Sequence, residues 1–222
     1  MRYWVECGDF FRECRRHFRS TGSILPSSPF LARALAAQLR GIRSAGRILE
    51  VGPGTGSVTK EILRHLLPDD RLDAVEINGH FAALVRGRLE NEWFFLYRPR
   101  QVQVIHSAVE DLPGEGIYDY IVSGLPLNNF PVSMVRSIFR AYTRLLKPGG
   151  ILSYYEYVLL RQLKSPFVNR RERRRLYKIG RVIGGYVRNF QVRRERIFMN
   201  VPPATVRHLR LKHKPAVVAA AV

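Results

Sequence analysis

The sequence predicts one α/β domain built on a largely parallel sheet. Three observations predict it. From Arg47 onward, short apolar runs of strand length alternate with helical segments whose apolar residues recur every three or four positions. The first run ends in a turn with glycine at alternate positions, Gly52, Gly54 and Gly56, which opens directly into a helix. The 222 residues, 46% of them hydrophobic, suffice for one such domain and a short extension, but not for a second independent one.

Residues 2–19 read as an amphipathic helix. Trp4, Cys7, Phe11, Cys14 and Phe18 share one face, and Arg12, Arg15, Arg16 and Arg19 supply a basic side. Such a helix lies at a membrane interface or covers part of the core, and the charge of the chain favours the first. Ser28 before Pro29 is the pattern of an N-cap with proline at the first helical position. Phe30, Leu31, Ala34, Leu35 and Leu39 give that helix its buried face.

Strands are expected at Arg47–Val51, 72–77, Val102–His106, Tyr118–Ser123 and 151–158. Helices are expected over 59–67, along Phe81, Leu84, Val85 and Leu89, and over 132–146. Strands alternating with helices imply right-handed crossovers. The end differs: 190–192 and 197–199 read as two short strands joined by a tight charged turn at 193–196, a hairpin on the sheet edge. The chain thus divides into a helix and loop (1–28), the domain (29–210) and a flexible tail (211–222).

The formal net charge is +19. A field of that size attracts polyanions, either nucleic acid or an anionic membrane surface. The two cysteines, Cys7 and Cys14, make neither a disulfide framework nor a metal set, so no metal is expected. No run reaches the roughly 18–20 apolar residues that span a bilayer. The first residues carry charges throughout and lack a signal-peptide core. A cytoplasmic protein, peripheral on the inner membrane face, is the expectation. Two insertions stand out: 92–100, with Trp93, Phe94, Phe95 and Tyr97 among arginines, and the strongly basic 164–181.

The glycine turn runs Glu50-Val-Gly-Pro-Gly-Thr-Gly56. The dinucleotide pattern G-x-G-x-x-G fails, because its sixth place is Ser57 counted from Gly52 and Thr59 counted from Gly54. No Gly-Lys-Ser/Thr follows, so the phosphate loop fails too. A ligand without a pyrophosphate fits better. Glu76 ends the second strand, and a carboxylate there can accept hydrogen bonds from both hydroxyls of a ribose.

Together Glu50–Gly56, Glu76 and Leu145-Leu-Lys-Pro-Gly-Gly-Ile-Leu152 resemble the signature set of class I S-adenosylmethionine methyltransferases over residues 47–199. The resemblance implies a Rossmann-like fold with a seven-stranded, mostly parallel sheet in the order 3-2-1-4-5-7-6 and helices on both faces. It implies S-adenosyl-L-methionine as cofactor. Gly52, Gly54 and Gly56 would face its methionine part and Glu76 its ribose, within a binding set of Glu50, Gly52, Gly54, Thr55, Gly56, Glu76, Ile77, Ser107, Ala108 and Ser123. Many members place an aspartate against the adenine amino group, and here Ser107 stands in that position.

The fourth strand runs into Ser123-Gly-Leu-Pro-Leu-Asn-Asn-Phe130. A related loop, Asn-Leu-Pro-Tyr, binds the base in ribosomal RNA adenine dimethyltransferases. Gly124 and Leu127 replace its asparagine and tyrosine, and neither can read or stack on a base, which disfavours nucleic acid. The chain more closely resembles bacterial phospholipid N-methyltransferases. Gly22-Ser-Ile-Leu-Pro-Ser-Ser28, Ser123-Gly-Leu-Pro-Leu127 and Asn200-Val-Pro-Pro-Ala204 carry that likeness. It implies stepwise methylation of phosphatidylethanolamine towards phosphatidylcholine, and relatives that methylate ornithine lipids share such motifs.

Ser28, Leu125, Pro126, Tyr154, Tyr157, Arg170, Arg171 and Arg174 are the expected substrate and lipid contacts. The arginines would dock on an anionic surface or grip a lipid phosphate, unless they form only a solvated helix face. The neutral amine would attack the sulfonium methyl in line, with alignment as the main contribution of the enzyme. Desolvation would favour the neutral amine. Alternation puts Tyr155 and Tyr157 on one face of the fifth strand and Tyr154 and Glu156 on the other. Tyr155 is the expected holder of the methylated cation and Glu156 the proton acceptor, with packing of the sheet as the competing role for the tyrosines.

Overall fold

Apolar, β-branched-rich β1 (Arg47–Val51) lies mid-sheet, buried along all but its first residue. The computed structural model describes residues 27–40, 44–91, 101–158 and 170–211, so the expected helix at 2–19, the insertion at 92–100 and the tail beyond Leu211 lie outside the described residues. Around β1 stand β2 (Arg71–Glu76), β3 (Val102–His106), β4 (Tyr118–Ser123), β5 (Leu146–Tyr157), β6 (Gln191–Ile197) and β7 (Ala204–Arg210). Their order is 3-2-1-4-5-7-6, as the resemblance implied. β1 to β5 are parallel, and β7 is antiparallel to both β5 and β6.

The helices are α1 (Pro29–Leu35), α2 (Ser57–Leu63), α3 (Gly79–Asn91), α4 (Val132–Leu145) and α5 (Arg170–Phe190). Strand alternation divides the core in two. Ile48, Val122 and Tyr155 face one layer with Leu31 and Leu35 of α1 and Ile62 of α2. Leu49, Ile121 and Tyr154 face the other, with Ile138 and Phe139 of α4 and Ile183 of α5. In that layer the Phe139 ring meets Tyr154 edge-on at 5.7 Å and Tyr186 of α5 at 4.7 Å. The amino edge of the sheet is locked by charge: Asp73 accepts from Arg47 at 2.8 Å and from the Tyr118 hydroxyl at 2.7 Å.

The chain end corrects the sequence reading. β6 runs straight through the expected turn at 193–196, and its partner is β7, not 197–199. Arg193, Arg194 and Arg196 are exposed on an edge strand, where charges are tolerated and discourage further pairing. That pattern imitates a turn in sequence. The motif at 200–204 therefore joins β6 to β7 rather than following the last strand. Within the basic insertion, residues 170–181 form the first half of α5, a helix of 21 residues.

Candidate active site

At the carboxyl ends of β1, β2 and β4, three loops converge. Gly52, Gly54 and Gly56 have φ of +72°, +55° and +83°, in the left-handed region that glycine enters at no steric cost. A Cβ on Gly124, after β4, would lie 2.6 Å from the Gly52 carbonyl oxygen. One on Gly52 would lie 2.6 Å from Leu125 Cδ2. The two loops are therefore packed backbone to backbone, and the Gly124 N–H donates to Val51 O at 2.8 Å. A Cβ on Gly54 would meet nothing within 4 Å, so this is the open part of the turn where a ligand reaches the backbone. Arg88 of α3 reinforces the turn by donating to the Thr55 carbonyl.

Two acids sit against that turn. Glu76 Oε2 accepts the Gly54 N–H at 3.2 Å and Oε1 accepts the Asn78 N–H at 2.9 Å. Each oxygen retains acceptor capacity for a hydroxyl. Burial raises the Glu76 carboxyl above its usual range, and these backbone donors oppose the rise. Glu50 is fully buried, and neither its oxygens nor the Thr59 hydroxyl has a hydrogen-bond partner. Burial raises its pKa from 4.5 to about 8, and the charge of Glu76 adds to the rise. An orphaned buried acid below a turn open to ligand fits a cationic guest.

A cavity of about 110 Å³, partly open to solvent, lies beside the turn. Of the expected cofactor set, Gly52, Glu76, Ile77, Ser107 and Ala108 line it. Ser123 does not. It is fully buried, accepts the Tyr142 hydroxyl at 2.7 Å and the Leu125 N–H at 3.3 Å, and so shapes the loop after β4 from below. Sequence reasoning missed Glu110 and Asp111, which follow Ala108 into the cavity, and Met134 and Ile138 of α4, which supply an apolar wall. The adjacent acids after the third strand were the available signal. Burial raises Glu110, and the neighbouring Asp111 adds to the rise.

The expected substrate residues separate into groups. Leu125 lines the cavity, and Pro126 leads into the tight turn Leu127–Asn129. The Ser28 hydroxyl caps α1 by accepting the Leu31 N–H at 3.2 Å, while its own N–H donates to Asn200 Oδ1 at 3.1 Å. The burial of Tyr155 speaks against one expectation for catalysis. Tyr155 is 5% exposed in the α1–α2 core, with its ring 5.1 Å from that of Tyr157, which leaves no room for a methylated cation over it. Glu156 Oε1 accepts both the Tyr154 hydroxyl at 3.2 Å and the Arg207 Nε–H at 3.1 Å, which ties β5 to β7 through that one oxygen. Tyr154 is fully buried, while Tyr157 is half-buried at the strand end.

Arg170, Arg171, Arg174 and Lys178 form an open cleft against Pro131 and Val132 at the start of α4, and none of the four has an ion pair among the described residues. Arg175, on the same helix, donates to Phe130 O at 2.7 Å and Asn128 O at 2.9 Å, tying α5 to the loop after β4. Ser153, His208 and Glu195 also form a chain of contacts, at 2.8 and 3.3 Å. His208 is fully buried, so this chain cross-links β5, β7 and β6 and offers no nucleophile to a substrate.

A sheet of this order, with a glycine turn above one acid and a second acid ending the neighbouring strand, defines a methyltransferase of the Rossmann-like type. The chain belongs to the class I S-adenosylmethionine-dependent methyltransferases. The Methyltransferase domain family matches residues 48–150. The ornithine lipid N-methyltransferase of Singulisphaera acidiphila is 32% identical over 154 residues, covering 67% of this chain and 74% of that protein. The ubiquinone/menaquinone biosynthesis C-methyltransferase UbiE of Pseudomonas savastanoi pv. phaseolicola is 27% identical over 57% of this chain, which spans about half (48%) of that protein. The O-methyltransferase TomG from Streptomyces achromogenes, solved with its methyl donor, shares the fold at a TM-score of 0.57 and 20% identity, over 82% of this chain and 79% of that one. The methyl donor of the present chain is S-adenosylmethionine, and the orphaned Glu50 and the open Gly54 backbone fit its positive charge and its close approach.

Proposed function

We propose that this methyltransferase N-methylates the amine of a membrane aminolipid, phosphatidylethanolamine towards phosphatidylcholine, at an anionic membrane surface. The observation that carries this reading is the cleft of four cations, without ion pairs among the described residues, beside the loop after β4. An aminophospholipid carries an oxyanion a few bonds from its amine. Arg170, Arg171 and Arg174 would hold that oxyanion by charge-assisted hydrogen bonds while the amine reaches the donor. Charges at an anionic leaflet contribute about 1 kcal/mol each, so the same arginines favour docking there.

The donor supplies a sulfonium methyl, which passes to the amine nitrogen as the carbon–sulfur bond breaks. For the chain's own residues the tasks are alignment and exclusion of water. Gly52, Glu76, Ile77, Ser107 and Ala108, which line the cavity, would hold the donor together with Glu50, Gly54, Thr55 and Gly56 of the turn, with Ser123 shaping the adjoining loop. Leu125, Pro126 and Tyr157 would border the headgroup, and their low polarity disfavours the protonated amine. Gly124 is pressed against the Gly52 carbonyl and cannot bear a side chain that reads a base, which speaks against a nucleic-acid substrate.

A second reading, methylation of an ornithine lipid, is favoured by the likeness to the Singulisphaera protein, named for that activity. Its headgroup also pairs an amine with an oxyanion, a carboxylate. Labelled donor offered with vesicles containing either lipid, or with ribosomal RNA, separates the readings. Label is expected in phosphatidylethanolamine. Label in ornithine lipid alone would select the second reading, and label confined to RNA would overturn both.

A further inference from the structure

The loop between β6 and β7 inverts the usual rule of burial. Phe198, Met199 and Val201 are 73%, 69% and 74% exposed, while Asn200 between them is 5% exposed. No other stretch of the described residues opens three large apolar side chains within four positions. The loop is held firmly. Asn200 accepts the Ser28 N–H at 3.1 Å and donates to Pro202 O at 2.7 Å, and Pro203 O accepts the Val158 N–H at 2.9 Å. A loop anchored by its polar residue and turned outward by its apolar ones is built to meet something apolar.

Its position identifies what. β6 runs antiparallel to β7, which runs antiparallel to β5, so β6 is parallel to β5. The loop therefore leaves the same carboxyl edge as the glycine turn, Glu76 and the loop after β4. The amino ends of α4 and α5, with the cleft of Arg170, Arg171, Arg174 and Lys178, lie at that edge too. Arg194 and Arg196 are exposed on β6, just before the apolar tip. Apolar tips flanked by cations on a single edge match an anionic bilayer: apolar groups sink to the acyl boundary while the cations meet phosphates. A protein partner would need acidic groups around an apolar socket, whereas an anionic bilayer offers both phosphates and an acyl boundary.

We propose that Phe198, Met199 and Val201 insert into the interface of an anionic bilayer and seat the reacting edge on it. This deepens the lipid reading and rests on it. The test uses the full chain and vesicles of phosphatidylglycerol, phosphatidylcholine and phosphatidylethanolamine. The variant Phe198→Ser/Met199→Ser/Val201→Ser should bind these vesicles at least about tenfold more weakly in flotation. Its methylation of vesicle lipid should fall in parallel, while S-adenosylmethionine affinity and methylation of a monomeric short-chain aminolipid stay at wild-type levels. Phe198→Trp should add a component to the emission, relative to wild type, that brominated lipids quench. Unchanged flotation of the triple variant overturns the proposal. So does a loss of self-association on a sizing column with vesicle binding intact, which would make the loop a contact between copies. Lost flotation without methylation of any lipid by the wild type would uphold insertion and sink the substrate reading instead.

Discussion

At the scale of single residues, Glu50 carries the most stored cost. It is fully buried with both oxygens unpartnered, and burial raises it to about 8. A folded pKa above the unfolded 4.5 means the folded chain binds more protons between these values. The group's contribution to stability is thus fully present below 4.5 and is lost as pH rises through 8. Glu50→Gln should remove that dependence: equal stability to wild type at acidic pH, and an advantage on the order of a few kcal/mol above pH 8, read from denaturant unfolding at both ends. Wild type should release a proton on binding the cationic donor near neutral pH, because a nearby cation favours the ionised acid. The glutamine variant should release none and bind more weakly, as calorimetry in buffers of different ionisation enthalpy would show. An unchanged proton release in the variant would assign the linkage to another group. The motif placed Glu50 at the cofactor from sequence alone; its burial against α2 was not legible, since burial depends on which helix covers the strand.

At the scale of elements, the site depends on two loops touching. The Gly52 turn and Glu76 were legible because backbone need and strand position are local properties of sequence. The contact of Gly124 with the Gly52 carbonyl was not, because it depends on β1 and β4 being neighbours. The same holds for Met134 and Ile138, which reach the cavity only once α4 crosses the sheet. Tyr155 and Glu156 were placed on the correct faces by alternation, but alternation does not say what covers a face: for Tyr155 it is the α1–α2 core, for Glu156 it is Arg207. From the loop contact follows a prediction. Gly124→Ala puts a methyl 2.6 Å from a backbone oxygen that cannot swing aside, so the glycine turn must shift. Donor affinity should fall by about tenfold or more while circular dichroism shows the fold retained, since the core below is untouched. Wild-type affinity in this variant would show that the two loops do not set each other's position.

At the scale of the whole molecule, the sign of the charge was legible and its placement was not. Composition alone gives +19, and only the topology shows where the charge can act. Parallel strands send every following helix off from one edge, so the amino ends of α4 and α5 gather beside the cofactor turn, and the basic start of α5 lands there with them. The apolar loop at 198–201 reaches the same edge because β6 runs with β5, a fact hidden while its arginines read as a turn. Two attractions of different range then act on one face. Charge steers from a distance and is screened by salt, with a Debye length of about 30 Å at 0.01 M and about 3 Å at 1 M. Apolar insertion acts on contact and is not weakened by salt. Raising salt across that range should therefore slow methylation of lipid in anionic vesicles by about tenfold or more, mainly through a lower rate of association. Methylation of a monomeric short-chain aminolipid should change far less, because the cavity assigned to the donor lies between the sheet and α4 rather than on the charged rim. Protein already bound should leave the vesicles slowly even at high salt, provided the loop is inserted, and quickly in the triple serine variant. Stopped-flow association and dissociation at several salt concentrations separate the two contributions. An equal loss of both activities would mean that the charges act at the reacting centre itself and not in bringing the enzyme to its surface.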